Sequence, residues 1–355
     1  MFITGLTRQE LKEEFSSLGL ESYRADQVLR WLYKRLTTDF SLMTDLSKEH
    51  RSLLRERFSF HPLRLIERVE ASDATKFLFS TEDGHTLETV LIKERDHLTL
   101  CVSSQIGCAV GCTFCATALD GLKRNLRTEE IVDQLLQVQL QTGERIRNVV
   151  FMGMGEPLAN YENVRKSALI MTSPWGFDLS KRRVTISTSG IVSQIRRMAR
   201  DPLMRELNLA VSLNSPFQSS REVLMPLTKT NTLEELMEAL RNFPLPPYRR
   251  ITLEYVLIKG VNDSESDAKK LAELIGRARK RFKVNLIPFN PDPNLPYERP
   301  SLDRVLRFQR ILWDRRISTF VRFSKGAEVF GACGQLRAKR NVLKSHFHEI
   351  TEVAD

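Results

Sequence analysis

From residue 98 onward, short apolar segments alternate with amphipathic ones, and few folds accept that pattern. Strand-like runs fall at about 98–103, 147–152, 183–187, 207–213, 251–257 and 283–288. Helical periodicity fills 128–141, 161–172, 191–200, 232–242 and 264–279. Apolar strands with a helix between each pair lie parallel and are joined by right-handed crossovers. Six such units predict an α/β fold, a partial (β/α)6 barrel whose chemistry sits at the C-terminal strand ends. The residues there are small and polar: Gly153-Met154-Gly155-Glu156-Pro157, Ser187-Thr188-Ser189-Gly190, Ser212-Leu213-Asn214 and Pro288-Phe289-Asn290-Pro291. One such loop means little, but four in succession predict a ligand site on one face. Thr128 is the expected N-cap of the first helix, with Glu129 and Glu130 in its first turn, where the helix dipole favours acid.

The remaining segments read as attachments. Apolar residues at three- and four-residue spacing predict helices at 8–18, 24–36 and 46–58. Period-two runs predict strands at 63–69, 75–80 and 86–92, the last two joined by an Asp83-Gly84 turn. The expected organisation is a helical accessory domain at 1–60 and a linker with a short β extension at 61–97. The barrel follows at 98–300, and then a C-terminal helix, strand and cysteine-bearing loop with a basic tail at 301–355. The chain has 355 residues and 28% charged side chains, an ordinary globular composition. It has no apolar run of the roughly 18 residues that a membrane span needs and no secretory leader pattern, so a cytoplasmic protein is expected.

Five cysteines are too few for a disulfide scaffold, and three of them, Cys108, Cys112 and Cys115, form a C-x3-C-x2-C array. A closed zinc site wants four ligands, and no second pair lies nearby. Electron-carrying iron–sulfur clusters also take four cysteines. Three thiolates suit a [4Fe-4S] cluster with one iron left open. Placed just after the first barrel strand, with Phe114 before the third cysteine, the array matches the signature of the radical S-adenosylmethionine (SAM) superfamily. Gly153 and Gly155 would let backbone approach SAM, and Glu156 could take its amino group. A dinucleotide fingerprint fails at Leu158, and no phosphate loop of the G-x4-G-K type is present.

Beyond that array, several segments resemble the RlmN/Cfr family of RNA adenine methyltransferases. They are Leu98 to Gln105, the array with Ala116-Thr117, Lys123-Arg124-Asn125-Leu126, Glu130-Ile131-Val132-Asp133-Gln134, and the GMGEP and STSG loops. Gly260-Val261-Asn262-Asp263 and Ala332-Cys333-Gly334-Gln335-Leu336 extend the match, which runs in order over about residues 5–340. The resemblance implies a radical SAM barrel that uses two SAM molecules per turnover. It implies methylation of carbon 2 of an adenosine in 23S rRNA and of the adenosine next to the anticodon in some tRNAs. Cys333 would be methylated first, and a methylene radical on it would then add to the adenine. Cys101 would resolve the resulting adduct by forming a disulfide with Cys333, and Glu88 would be the general base. The SAM contacts carry over to Gly155, Glu156, Ser187, Ser212, Leu213, Asn214 and Asn290. An electron donor such as flavodoxin and a monomeric state are also implied.

The sequence departs from the family at Asn214, where His is usual, at Ala118, where Gly is usual, and at His97, where Arg is common. Phe330-Gly331 is likewise atypical. The net charge of +10 is compatible with RNA. Candidate phosphate contacts are Lys181-Arg182-Arg183, Arg196-Arg197 with Arg200, Arg249-Arg250 and the run from Arg277 to Lys283. Alternatives stay open: a Cfr-like carbon-8 methyltransferase, a radical SAM maturase acting on protein, or a non-catalytic zinc RNA-binding module.

Overall fold

The computed structural model describes residues 1–337; the rest of the expected basic tail, 338–355, lies outside the described residues. The chain opens with α1 (Arg8–Ser17), α2 (Tyr23–Leu29) and α3 (Lys48–Arg57). A capping box starts α1: the Thr7 hydroxyl accepts from the Glu10 amide while Glu10 accepts from the Thr7 amide at 2.8 Å. One turn of π-helix, Arg30–Lys34, continues α2. These helices enclose their own core of Ile3, Leu11, Phe15, Val28, Leu32 and Leu54, which also takes in Val132, Leu136 and Ile170 from the barrel helices. The N-terminal segment is thereby fixed to the outside of the barrel rather than tethered to it.

Three eight-residue strands follow: β1 (Leu63–Glu70), β2 (Ala74–Thr81) and β3 (Thr86–Lys93). They form an antiparallel meander whose last strand pairs with β4 (Leu98–Cys101). The β extension is therefore part of the barrel sheet. A two-residue ladder, β5 (Gln105–Ile106) with β6 (Arg124–Asn125), brackets the loop that holds the cysteine array.

Then come α4 (Thr128–Thr142), β7 (Asn148–Phe151), α5 (Tyr161–Thr172), β8 (Val184–Thr188), α6 (Val192–Arg200) and β9 (Asn208–Ser212). After them lie α7 (Gln218–Leu224), α8 (Leu233–Arg241), β10 (Ile251–Leu257), α9 (Glu265–Ile275), β11 (Phe282–Pro288), α10 (Leu302–Asp314) and β12 (Thr319–Val321). The order β1-β2-β3-β4-β7-β8-β9-β10-β11-β12 makes one ten-stranded open sheet, parallel from β4 onward. The short β12 adds a seventh parallel strand to the six of the partial barrel. The core lies between the sheet and its covering helices, with Phe151, Ile186, Val211 and Leu253 facing residues such as Leu135, Ile195, Leu236 and Leu271.

Thr128 is not the N-cap of α4. Arg127 takes that position, its amide donating to Glu130 at 2.8 Å, while the Thr128 hydroxyl donates to Asn163 at 3.1 Å. Among the described residues no helix is long and apolar enough to cross a membrane. We call the C-terminal strand ends the rim and the N-terminal ends the floor.

Candidate active site

The rim loop after β7 is built by close backbone packing. Beyond β4 the chain runs on as Val102 to Gln105, and the loop lies against it: Gly153 N donates to Val102 O at 3.1 Å, and Ser104 N to Met154 O at 2.9 Å. The Ser103 hydroxyl accepts from Met154 N at 2.9 Å and donates to Glu88 O at 2.6 Å. Gly155 has φ +101, and a Cβ there would sit 2.5 Å from Gln105 Cβ. At Gly153 a Cβ would sit 2.7 Å from Ser103 Oγ. The two glycines thus serve this packing as well as any ligand.

Glu156, next in the chain, is buried. Its carboxylate accepts from the Ser189 amide and hydroxyl, both at 2.6 Å, and from Leu158 N at 3.0 Å. Burial pushes its pKa up, and the Ser189, Thr188 and Leu158 hydrogen bonds oppose that shift.

A cavity opens on the rim. It brings together Cys108, Cys112, Cys115, Gly155, Glu156, Ser187, Ser212, Asn290 and Cys333, residues spread over more than two hundred positions. The array thiols share their surroundings with an apolar cluster that includes Phe114, Leu224, Met225, Ile258 and Phe289. Burial raises all three thiols, Cys108 to about 12. Coordination to a metal would offset that cost, since a coordinating thiol is deprotonated. Among the described residues, no three His, Cys, Asp or Glu side chains converge as a single-ion site requires. Cys108, Cys112 and Cys115 all line the cavity, and three cysteine sulfurs are the donor type that iron–sulfur clusters take.

The Cys333 loop reaches the cavity by stitching itself to both neighbouring loops. Ala116 N donates to Gly334 O at 2.7 Å, and the Thr117 hydroxyl to Leu336 O at 2.6 Å. The Asn290 amide donates to Cys333 O at 3.1 Å and to the Ser324 hydroxyl at 2.9 Å, and Gln335 Nε2 reaches Pro291 O at 2.8 Å. Asn290 thus positions the thiol loop from the end of β11. Cys333 opens to the cavity yet is surrounded by protein, and burial pushes its thiol up to about 11. Cys101 lies buried on β4 behind the cavity lining; burial pushes it up to about 12, with the nearby Cys333 adding to the effect. Both are free thiols, so the expected disulfide is not formed in this state.

Three other expected residues also lie behind the lining. Glu88, on β3, pairs with Lys76 at 2.9 Å and accepts from Arg337 N at 2.9 Å. Leu213 is fully buried, and its carbonyl accepts from Arg221 at 3.0 Å. The Asn214 amide is committed internally: its oxygen accepts from Val256 N at 2.8 Å and its nitrogen meets the Met225 sulfur at 3.3 Å. It ties the ends of β9 and β10 together.

Sequence reasoning missed four residues. Arg221, on α7, is fully buried and donates to the carbonyls of Leu213, Ser189 and Ser212 and to the Thr228 hydroxyl. Burial pulls its pKa down to about 10, and the Cys112 thiol opposes the shift. Glu254, a carboxylate inside an apolar strand, lines the cavity; Oε1 accepts from Asn285 at 3.1 Å, and Oε2 is buried with no partner among the described residues. Burial raises Glu254 too, against the pull of the Arg322 charge. Arg322 also lines the cavity and acts electrostatically on Cys101 and Cys333. Lys76 holds Glu88. Two of the four left a sequence signal, a lone charge in an apolar strand: Lys76 in Ala74–Thr81 and Glu254 in Ile251–Leu257.

Comparison with known proteins agrees with this geometry. Residues 2–59 match a family described as "Ribosomal RNA large subunit methyltransferase N-terminal domain", and residues 102–275 match the radical SAM superfamily. An Aquifex aeolicus protein named "Probable dual-specificity RNA methyltransferase RlmN" is 74% identical over 344 residues, covering 97% of this chain and 99% of its own. A Thermotoga neapolitana protein of the same name is 47% identical over 339 residues, covering 95% and 97%. The crystal structure of a radical SAM methyltransferase from Sphaerobacter thermophilus superposes with a TM-score of 0.91 at 43% identity, covering 96% of this chain and 100% of that one. With a radical SAM barrel, the N-terminal domain of the large-subunit methyltransferases and full-length relatives of one name, the chain belongs to the RlmN family of dual-specificity RNA methyltransferases.

Proposed function

We propose that this protein methylates carbon 2 of an adenosine in 23S rRNA and of the adenosine beside the anticodon in some tRNAs, with Cys333 carrying the methyl group. The observation behind the reading is that Cys333 shares one cavity with Cys108, Cys112 and Cys115, with Cys101 just behind it. Cys108, Cys112 and Cys115 hold the [4Fe-4S] cluster. Gly155, Glu156, Ser187, Ser212 and Asn290 meet SAM, while Leu213 and Asn214 support that wall from behind. When bound, the cluster and SAM supply one-electron chemistry, with two SAM molecules consumed per turnover and the electron coming from a donor such as flavodoxin.

The chain's own residues do the rest. The apolar wall around Phe114 and Phe289 excludes water. Cys333 presents its sulfur to the adenine, which must leave its stack to reach the cavity. Glu88, held by the Lys76 ammonium, takes the proton lost from the adenine carbon. The Cys101 thiolate attacks the Cys333 sulfur of the adduct. The sulfur–carbon bond breaks, its electron pair goes to the released carbon, which takes a proton to become the methyl group, and Cys101 and Cys333 are left as a disulfide. The enzyme acts as a cytoplasmic monomer.

Cys101→Ala tests the assignment. It should leave cluster content and SAM binding intact but stall with RNA covalently attached through Cys333, seen as a nuclease-trimmed nucleotide mass on the Cys333 peptide. Normal turnover without an adduct would contradict the role of Cys101.

A further inference from the structure

The positive charge of the chain is concentrated at one end of the barrel. Six helix-to-strand connections, 143–147, 173–183, 201–207, 242–250, 276–281 and 315–318, lead into β7 to β12. They hold fourteen Lys and Arg against four Asp and Glu, a surplus that equals the whole chain's +10. Because these strands are parallel, all six connections lie on the floor, opposite the cavity.

The floor cations are also unanswered. Lys181 pairs with Glu206 at 2.6 Å, whereas Asp201 is taken by Arg165 of α5 and Asp178 by Lys34. Thirteen of the fourteen have no carboxylate within 4.0 Å among the described residues. Arg147, Arg182, Arg250, Arg277, Arg315 and Arg316 are exposed.

Neighbouring connections touch, so the surface is continuous. Arg183 reaches Asn148 at 3.1 Å, Asn208 donates to Arg182 O at 2.7 Å, Arg249 donates to Glu206 O, and Arg250 reaches Ser318 at 2.7 Å. The crowding is felt: burial and then the neighbouring Arg182 charge pull the Arg249 pKa down. Uncompensated repulsion of this kind opposes folding, and a barrel floor ordinarily serves stability.

We propose that the floor binds the phosphate backbone of a part of the substrate RNA lying away from the modified adenosine. The proposal rests on the RNA methyltransferase reading. Twelve of the fourteen cations are arginine, whose planar fork matches phosphate oxygens. Tyr248, fully exposed beside Arg249 and Arg250, offers a face on which a base can stack. At about 3.3 Å per residue, a strand as long as β10 separates floor from rim by roughly 20 Å, so only an extended RNA meets both.

The test combines Arg182→Gln, Arg250→Gln, Arg315→Gln and Arg316→Gln. Affinity is measured against salt concentration for a full-length large-subunit RNA transcript and for a minimal stem-loop carrying the target adenosine. The transcript should bind on the order of tenfold or more weakly, and its salt slope should fall by about one for each phosphate no longer neutralised, while the stem-loop is unaffected. An unchanged slope for the transcript would overturn the proposal. So would equal losses for both RNAs, which would put the interaction at the target. Binding of anionic vesicles that the variant loses, with RNA binding intact, would also overturn it. If the unaltered protein methylates neither RNA, the failure belongs to the assigned function instead.

Discussion

The rim and the floor are opposite ends of the same strands, and they differ in how their charges are answered. At the rim, Arg124 meets Asp83 and Glu130, Lys259 meets Glu298, Arg337 meets Asp120, and the Glu156 carboxylate accepts three hydrogen bonds. At the floor, thirteen cations have no carboxylate within 4.0 Å among the described residues. The contrast follows from what each end must do. Chemistry on one atom needs every neighbouring group fixed, because misplacement raises the barrier. Holding a polyanion needs charge density, and phosphate contacts tolerate imprecise placement.

The contrast should break first at the rim. Gly155→Ala forces a side chain into a left-handed backbone and onto Gln105, so the loop carrying Glu156 must move. SAM affinity, measured by equilibrium binding to the reconstituted protein, should fall on the order of 10²-fold, as expected when a positioning loop shifts. Wild-type affinity would mean the loop does not set the cofactor site.

Arg221→Met should act next. It strips the carbonyls of Leu213, Ser189 and Ser212 of a buried donor, which should cost about 3 kcal/mol in denaturant unfolding and lower iron incorporation. An unchanged midpoint would show that the guanidinium does not hold these strand ends together.

The smallest effect belongs to the floor. The quadruple glutamine variant should unfold at the same temperature as the unaltered protein, or slightly higher at low salt, because it removes repulsion rather than pairing. A marked loss of thermal stability would mean these arginines serve the fold.

Much of the fold was legible because the strands are buried on both faces and spaced by helices of ordinary length. The six expected strands match β4 and β7 to β11 to within two residues. Helix α7, with seven residues, was too short to carry a periodic signal, whereas the C-terminal helix and strand expected within 301–355 correspond to α10 and β12. The β extension looked peripheral in sequence because pairing between β3 and β4 is a non-local fact.

The candidate site was legible where chemistry demands particular residue types: three cysteines in a fixed array, and a loop with Gly155 and Glu156. It was not legible where a residue acts through the fold. Arg221 reads in sequence as one more basic residue on a helix, and only the topology buries it over the ends of β8 and β9. Asn214 read as a SAM contact, but its amide is committed to Val256 and Met225. The basic clusters at 181–183, 249–250 and 277–283 are visible in the sequence, yet it could not say that they sit at the end opposite the chemistry. A residue just before a strand and one just after it look alike until the strands are known to be parallel.

The most direct measurement is mass spectrometry of nucleosides from ribosomal RNA and tRNA of cells that lack their own enzyme and express either this chain or its Cys333→Ala variant. New 2-methyladenosine in both RNA pools with the unaltered chain, and none with a variant that still carries its cluster, is the expected result. Methylation persisting in the variant would contradict the role of Cys333. Formation of 8-methyladenosine, or of no methylated adenosine by a cluster-loaded protein, would contradict the carbon-2 assignment.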